Sequence, residues 1–171
     1  MVSNHVRLIK NGRLELDIWR LFDATTQSIP PHDSHWIVKF DTWKQNIDEF
    51  QLAKYPIAIL ISSDSDLSNL PNEFLHDDLL LGIEFIAIDF PNYTDGRGYS
   101  LAQLLRNQYG WRGELRAMGD VLIDTIHYLA RCGFDSFLVK QGHDPKLALK
   151  AFEAFTVHYQ RSYLKPELAS E

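Results

Sequence analysis

Two short apolar runs constrain this chain more than anything else in it. Ile57 to Ile61 reads IAILI, and Ile83 to Asp89 reads IEFIAID. Such near-continuous apolar runs, bounded by polar residues, mark strands buried on both faces, as in a parallel sheet flanked by helices. Helical segments follow each run. Pro71 opens one whose Phe74, Leu75 and Leu79 share a side, and Gly82 ends it. Ser100 and Gln103 have capping-box spacing ahead of Leu101, Leu104, Leu105 and Tyr109, with Gly110 as the stop.

The alternation continues. Glu114 to Met118 reads as a third strand, and Asp120 is placed to cap a helix that turns Leu122, Ile126 and Leu129 inward and ends at Gly133. Phe134 to Val139 carries a fourth strand. The last helix opens at Asp144-Pro145 and buries Ala148, Ala151, Phe152, Phe155 and Tyr159. The fold class is therefore α/β: four β-α units with a parallel sheet over residues 55–164, either half-barrel-like or an open sandwich. A complete (β/α)8 barrel needs about 250 residues. A half-barrel has two open edges, which the N-terminal strands or a second copy would cover, so a homodimer is expected.

Residues 1–54 read as an N-terminal β-rich cap over one side of that domain. A hairpin within residues 5–22 turns at Asn11-Gly12, WIVKF (Trp36 to Phe40) is a further strand, and Trp43 to Leu52 is a short helix. Residues 165–171 are a polar tail.

Composition bears on partners. A formal net charge of −6 over 171 residues argues against nucleic acid. No apolar run approaches the roughly 18 residues of a membrane span, and the first residues lack the apolar core of a secretory signal. Cys132 is the only cysteine, which excludes a disulfide framework or a thiolate metal cluster. His32 and His35 lack a third ligand at defined spacing, so no metal is expected. TDGRGYS is neither GxGxxG nor a P-loop, and no cofactor is expected. A cytoplasmic protein follows.

In parallel α/β folds ligands bind beyond the carboxyl ends of the strands. Those ends hold Ser62-Ser63-Asp64, Asp89 through Arg97, Arg116 through Asp120, and Lys140 through His143. The candidate ligand or anion-binding residues are Thr94, Asp95, Gly96, Arg97, Tyr99, Arg116 and Asp120, with Asp89 and His143 as secondary candidates. Arg97 and Arg116 are forked donors that suit a small anion if they converge. Asp95 and Arg97 can equally pair with each other, and Asp120 can be no more than a helix cap.

The segment FPNYTDGRGYSLAQLLRNQYGWRGELRAMGDVLIDTIHYLARCGFDSF resembles the signature of bacterial domain-of-unknown-function family nine-three-four. The resemblance rests on Thr94 through Ser100, Ala102, Leu105, Arg106, Gly113 through Ala117, Gly119 through Leu122, Asp124, Leu129, and Arg131 through Asp135. Members are commonly encoded beside sulfite reductase. The resemblance therefore implies an accessory protein of assimilatory sulfate or sulfite reduction, non-catalytic by itself, with sulfite reductase or its electron donor as partner. The alternative is a small-anion-binding enzyme with its site at the strand ends.

Overall fold

The computed structural model describes residues 7–25, 29–53, 56–65, 67 and 82–155. The hairpin forms: β1 (Leu8–Lys10) and β2 (Arg13–Glu15) pair antiparallel around Asn11 and Gly12, at φ 52° and 68°. Positive φ at both turn positions gives the twist that a two-residue hairpin needs. Next come β3 (Trp19–Leu21) and β4 (His35–Lys39), followed by two short helices where one was expected, α1 (Phe40–Gln45) and α2 (Ile47–Ala53). The core strands are β5 (Ile57–Ser62), β6 (Ile83–Phe90), β7 (Glu114–Gly119) and β8 (Ser136–Leu138). Helices α3 (Arg97–Asn107), α4 (Ile126–Cys132) and α5 (Pro145–Phe155) follow β6, β7 and β8. Of the four β-α units expected, these three are seen. The helix expected around residues 71–79 and the polar tail lie outside the described residues.

All eight strands join one sheet, in the order β2-β1-β8-β7-β6-β5-β4-β3. β3 through β8 run parallel, whereas β1 is antiparallel to both β2 and β8. The sheet is thus mixed, not purely parallel. The N-terminal strands do not cap one side of it. β3 and β4 extend the parallel array at one edge, and β1 and β2 flank the other.

The sheet is curled and half-barrel-like, which chain length alone requires. Only Leu16, Asp17 and Ile18 separate β2 from β3, at opposite ends of the strand order. From Glu15 to Trp19 the chain reaches about 14 Å at most. Laid flat, the eight strands would put those edges about 34 Å apart. The sheet therefore bends until residues 13–21, running in one direction, serve both edges. The open-edge argument for a homodimer loses force accordingly.

The two faces differ in kind. The outer face (Val38, Ile59, Ile61, Ile86, Ile88, Leu115, Ala117, Phe137) packs against Trp43, Phe50, Leu101, Leu105, Ile126, Leu129 and Ala148 of the helices. The inner face has a small apolar cluster of Ile37, Ala58, Phe85 and Ala87, with Trp19, Leu60 and Met118 against it. Arg116 lies on the same face, its guanidinium 3.7 Å from the centroid of the Phe85 ring. Its Nη2 donates to Glu114 Oε1 at 2.8 Å, its Nε reaches Ser136 Oγ at 3.3 Å, and its Nη1 donates to Asp17 Oδ1 at 3.1 Å. Lys10 Nζ completes the network, 2.6 Å from Glu114 Oε2. Asp17 sits in the three-residue link, so its bond to Arg116 ties the closing segment to the sheet interior.

Two expected helix starts move. Ser100 is not the cap of α3, which begins at Arg97; the Asp95 carboxylate accepts the Arg97 N–H at 3.1 Å instead. Asp120 caps no helix. The chain after β7 enters a 3-10 turn at Ile123–Thr125 before α4 begins. Gly133 ends α4 as expected, at φ 111°. At the start of α5, Asp144 Oδ1 accepts the Lys146 N–H at 2.9 Å.

Arg106 is the second fully buried arginine. Its Nε and Nη2 donate to Gly133 O, its Nη1 donates to Trp111 O and Gly113 O at 2.8 Å, and its Nη2 pairs with Asp135. Asp135 also accepts the Leu115 N–H at 3.0 Å. One side chain of α3 thereby fixes both the turn into β7 and the turn into β8. Arg106→Met should cost about 3–5 kcal/mol, as breaking a buried ion pair does, read as a drop in urea midpoint at unchanged slope. Asp17→Ala leaves Arg116 with Glu114, so the fold should persist. Amides of residues 16–21 should then exchange about tenfold faster, for the loss of one charge-assisted bond.

Candidate functional site

Parallel strand direction places the ends of β5 to β8 together, and the loops leaving them form a polar rim. Between β6 and α3 the loop is shaped by its own side chains. Asn92 Oδ1 accepts from both the N–H and the hydroxyl of Thr94, at 3.0 and 2.8 Å, and the Asp95 N–H donates to Asn92 O. Thr94 is thus explained by the turn. Gly96 has an ordinary φ of −63° and open space beside it, so nothing local demands a glycine there.

Asp95 is the hub of this loop. Arg97 grips it through Nε at 2.9 Å and Nη2 at 2.7 Å, and Ser63 Oγ, from the end of β5, donates to Asp95 Oδ2 at 2.7 Å. The Arg97 bonds, then the Ser63 bond, hold the Asp95 carboxyl far below the usual carboxylate range. Arg97 remains 62% exposed. It is therefore a fixed guanidinium displayed at the surface.

Gly98 allows a close approach to this chain's own Phe90 ring, which a Cβ would overlap. Tyr99 packs edge-on against Phe90, with ring centroids 5.3 Å apart, and burial raises its phenol pKa. Both residues serve the α3–β6 contact.

Asp120 holds the rim on the other side. Its Oδ2 accepts the Tyr93 N–H at 3.0 Å, and its Oδ1 lies 2.6 Å from Lys140 Nζ. The Lys140 bond, then the Tyr93 bond, lower its pKa. His143 is exposed in the loop after β8, near enough that its charge also favours the Asp120 carboxylate.

Arg116 does not join this rim. It occupies the third position of the six-residue β7, is 2% exposed, and leans towards Glu114 and Phe85. Arg97 and Arg116 share no partner among the described residues, and no two-arginine clamp is assembled. Spacing alone could not show this, because a strand residue meets the rim only if it lies at the strand's last turns and its side chain leans that way.

Asp89, one of the two secondary candidates, sits apart from the loop. It pairs in register with Ser62 and Met118 on the inner face, at the carboxyl end of the sheet's central strand. Its Oδ1 would lie 2.5 Å from a Cβ at Gly119, whose φ of 87° also favours glycine. Burial raises its pKa, and Lys39 across the same face only partly offsets this. The sequence carried a signal for Lys39, a lone cation within an apolar strand, and for Ser63 at a strand end. Arg106 gave no signal beyond its place in the family signature.

The matched family description is a bacterial protein of unknown function, DUF934, whose model covers residues 58–169. That is most of the chain. The chain belongs to the DUF934 family. No curated protein and no solved structure matches it. Within the matched segment, the DUF934 residues Gly98, Tyr99, Arg106, Gly133 and Asp135 serve packing and turns. Asp95, Arg97, Gly119 and Asp120 build the rim. Among the described residues no group of acidic, histidine and cysteine side chains could hold a metal ion, and no helix is long and apolar enough to cross a membrane.

Asp89 also gives a pH signature. A carboxyl with a raised folded pKa binds its proton more tightly in the folded chain, so stability falls as pH rises from the ordinary carboxylate value through the folded one. Above that window the charge is a standing cost. Asp89→Asn should therefore be more stable than the parent at pH 7, and its advantage should vanish below the ordinary carboxylate pKa. Urea midpoints across that range check it.

Proposed function

We propose that this DUF934 protein is an accessory component of assimilatory sulfate or sulfite reduction in the cytoplasm, and that it works by docking on a partner. The sulfur context comes from the family resemblance. The docking mode is supported by one observation, the loop of residues 91–97. It displays Tyr93, 46% exposed, on a backbone tied to Asp120, and Arg97, whose guanidinium is held by Asp95. Asp120 fixes the Tyr93 backbone, and Ser63 and Asp95 fix the Arg97 guanidinium. Tyrosine and arginine dominate interface hot spots, and fixing them beforehand lowers the ordering cost of association. The partner is sulfite reductase or its electron donor. A small-anion-binding enzyme draws less support, because Arg97 already shares its charge with Asp95 and Arg116 with Asp17 and Glu114.

The test uses purified reductase and its electron donor, immobilised separately, with the intact protein as analyte. Saturable binding to one of them is expected. Tyr93→Ala and Arg97→Ala should each weaken it by about thirtyfold, the hot-spot threshold of 2 kcal/mol. Binding to neither component, together with unchanged sulfite reduction in a strain lacking the protein, would sink the proposal.

A further inference from the structure

The rim carboxylates are almost all satisfied. Asp64 accepts from Ser62, Asp95 is held by Arg97 and Ser63, and Asp120 by Tyr93 and Lys140. Asp89 is different. It has no hydrogen bond and no ion pair among the described residues, although burial raises its pKa. Lys39 is its counterpart. It lies on the same inner face at the end of β4 and has no ion pair among the described residues either. The two charges sense each other but do not touch.

Register sets the gap between them. Lys39 pairs with Leu60, and Asp89 with Ser62, so they stand two strands apart and one inward-facing step apart along the sheet. With strands about 4.8 Å apart and about 3.3 Å per residue, their Cα atoms are separated by about 12 Å. The floor between them is Leu60, Ser62 and Ala87, and Met118 lies beyond Asp89. Burial along this face has a direction. Ile37, Ala58, Phe85 and Ala87 are buried, whereas Lys39 and Ser62 are exposed and Leu60, Asp89 and Met118 half-buried. The inner face is therefore a cup that is packed at its base and accessible at the carboxyl ends of its strands, where parallel folds bind ligands.

We infer that this cup binds a small zwitterion of the α-amino-acid class, with Asp89 accepting from its ammonium group, Lys39 pairing with its carboxylate, and its side chain lying on Leu60 and Met118. An acceptor and a cation, each without a partner among the described residues and separated by a largely apolar floor, match a molecule that carries both opposite charges. A simple anion would leave Asp89 unmatched and repelled, and a simple amine would leave Lys39 so. The site does not involve the loop of residues 91–97, so it stands apart from the docking reading.

The experiment is a titration of the full-length, isotope-labelled chain with glycine, alanine, serine, cysteine and methionine, followed by amide NMR shifts and calorimetry. Simple amines and carboxylates of the same size serve as controls. At least one amino acid should give saturable shifts at residues 39, 60, 89 and 118. Its amine-only and acid-only analogues should bind at least about tenfold more weakly, the loss of one charge-assisted hydrogen bond. Asp89→Asn and Lys39→Met should each show the same loss while keeping native spectra, and Arg97→Ala should bind as the parent does. No saturable shift at those residues with millimolar amino acid would overturn the inference. So would binding that depends on only one of Asp89 and Lys39, or on neither.

Discussion

Three residues between β2 and β3 govern the shape of this protein. Because Leu16, Asp17 and Ile18 must connect opposite edges of an eight-stranded sheet, the sheet cannot lie flat. Curling makes an inside, and a small inside cannot be wholly apolar here because the sequence sends Asp17, Glu114, Arg116 and Ser136 into it. Those groups satisfy one another, and Arg116 rests on the Phe85 ring. A buried arginine facing both an aspartate and a glutamate is tolerated because each carboxylate is aimed at it, whereas an isolated charge there would be prohibitive.

The same curl separates three tasks. The outer face carries the apolar load against the helices. The base of the inner face pairs an apolar cluster with a closed polar network that holds the closing segment. The carboxyl-end rim displays Arg97, and there Asp89 and Lys39 stand without partners among the described residues. A raised pKa at Asp89 beside lowered ones at Asp64, Asp95 and Asp120 shows that the rim is not a uniform acidic surface.

Most single elements were legible in the sequence because each depends on local chemistry. The Asn11-Gly12 turn, the β5 and β6 runs, the Gly133 stop and the Asp144-Pro145 helix start need only a few adjacent residues to be recognised. The helix starts at Ser100 and Asp120 were misplaced for a definable reason. A capping side chain is chosen by which backbone N–H it can reach, and Asp95 reached Arg97 first, while Asp120 was drawn to Tyr93 and Lys140 in other loops. The same limit applied to the site. Thr94 and Tyr99 looked functional because they cluster, yet their partners Asn92 and Phe90 assign them to the turn and the core.

The sequence by itself determined the α/β class, the position of the strand ends and the residues offered there, since hydrophobic period and turn chemistry are written in consecutive residues. Tertiary structure decided which charges meet. It placed Arg116 with Asp17, 99 positions apart in the chain, and so removed it from the rim. It also left Asp89 and Lys39 facing each other without touching. Those outcomes depend on strand order and curl, which bring together residues that no local pattern relates.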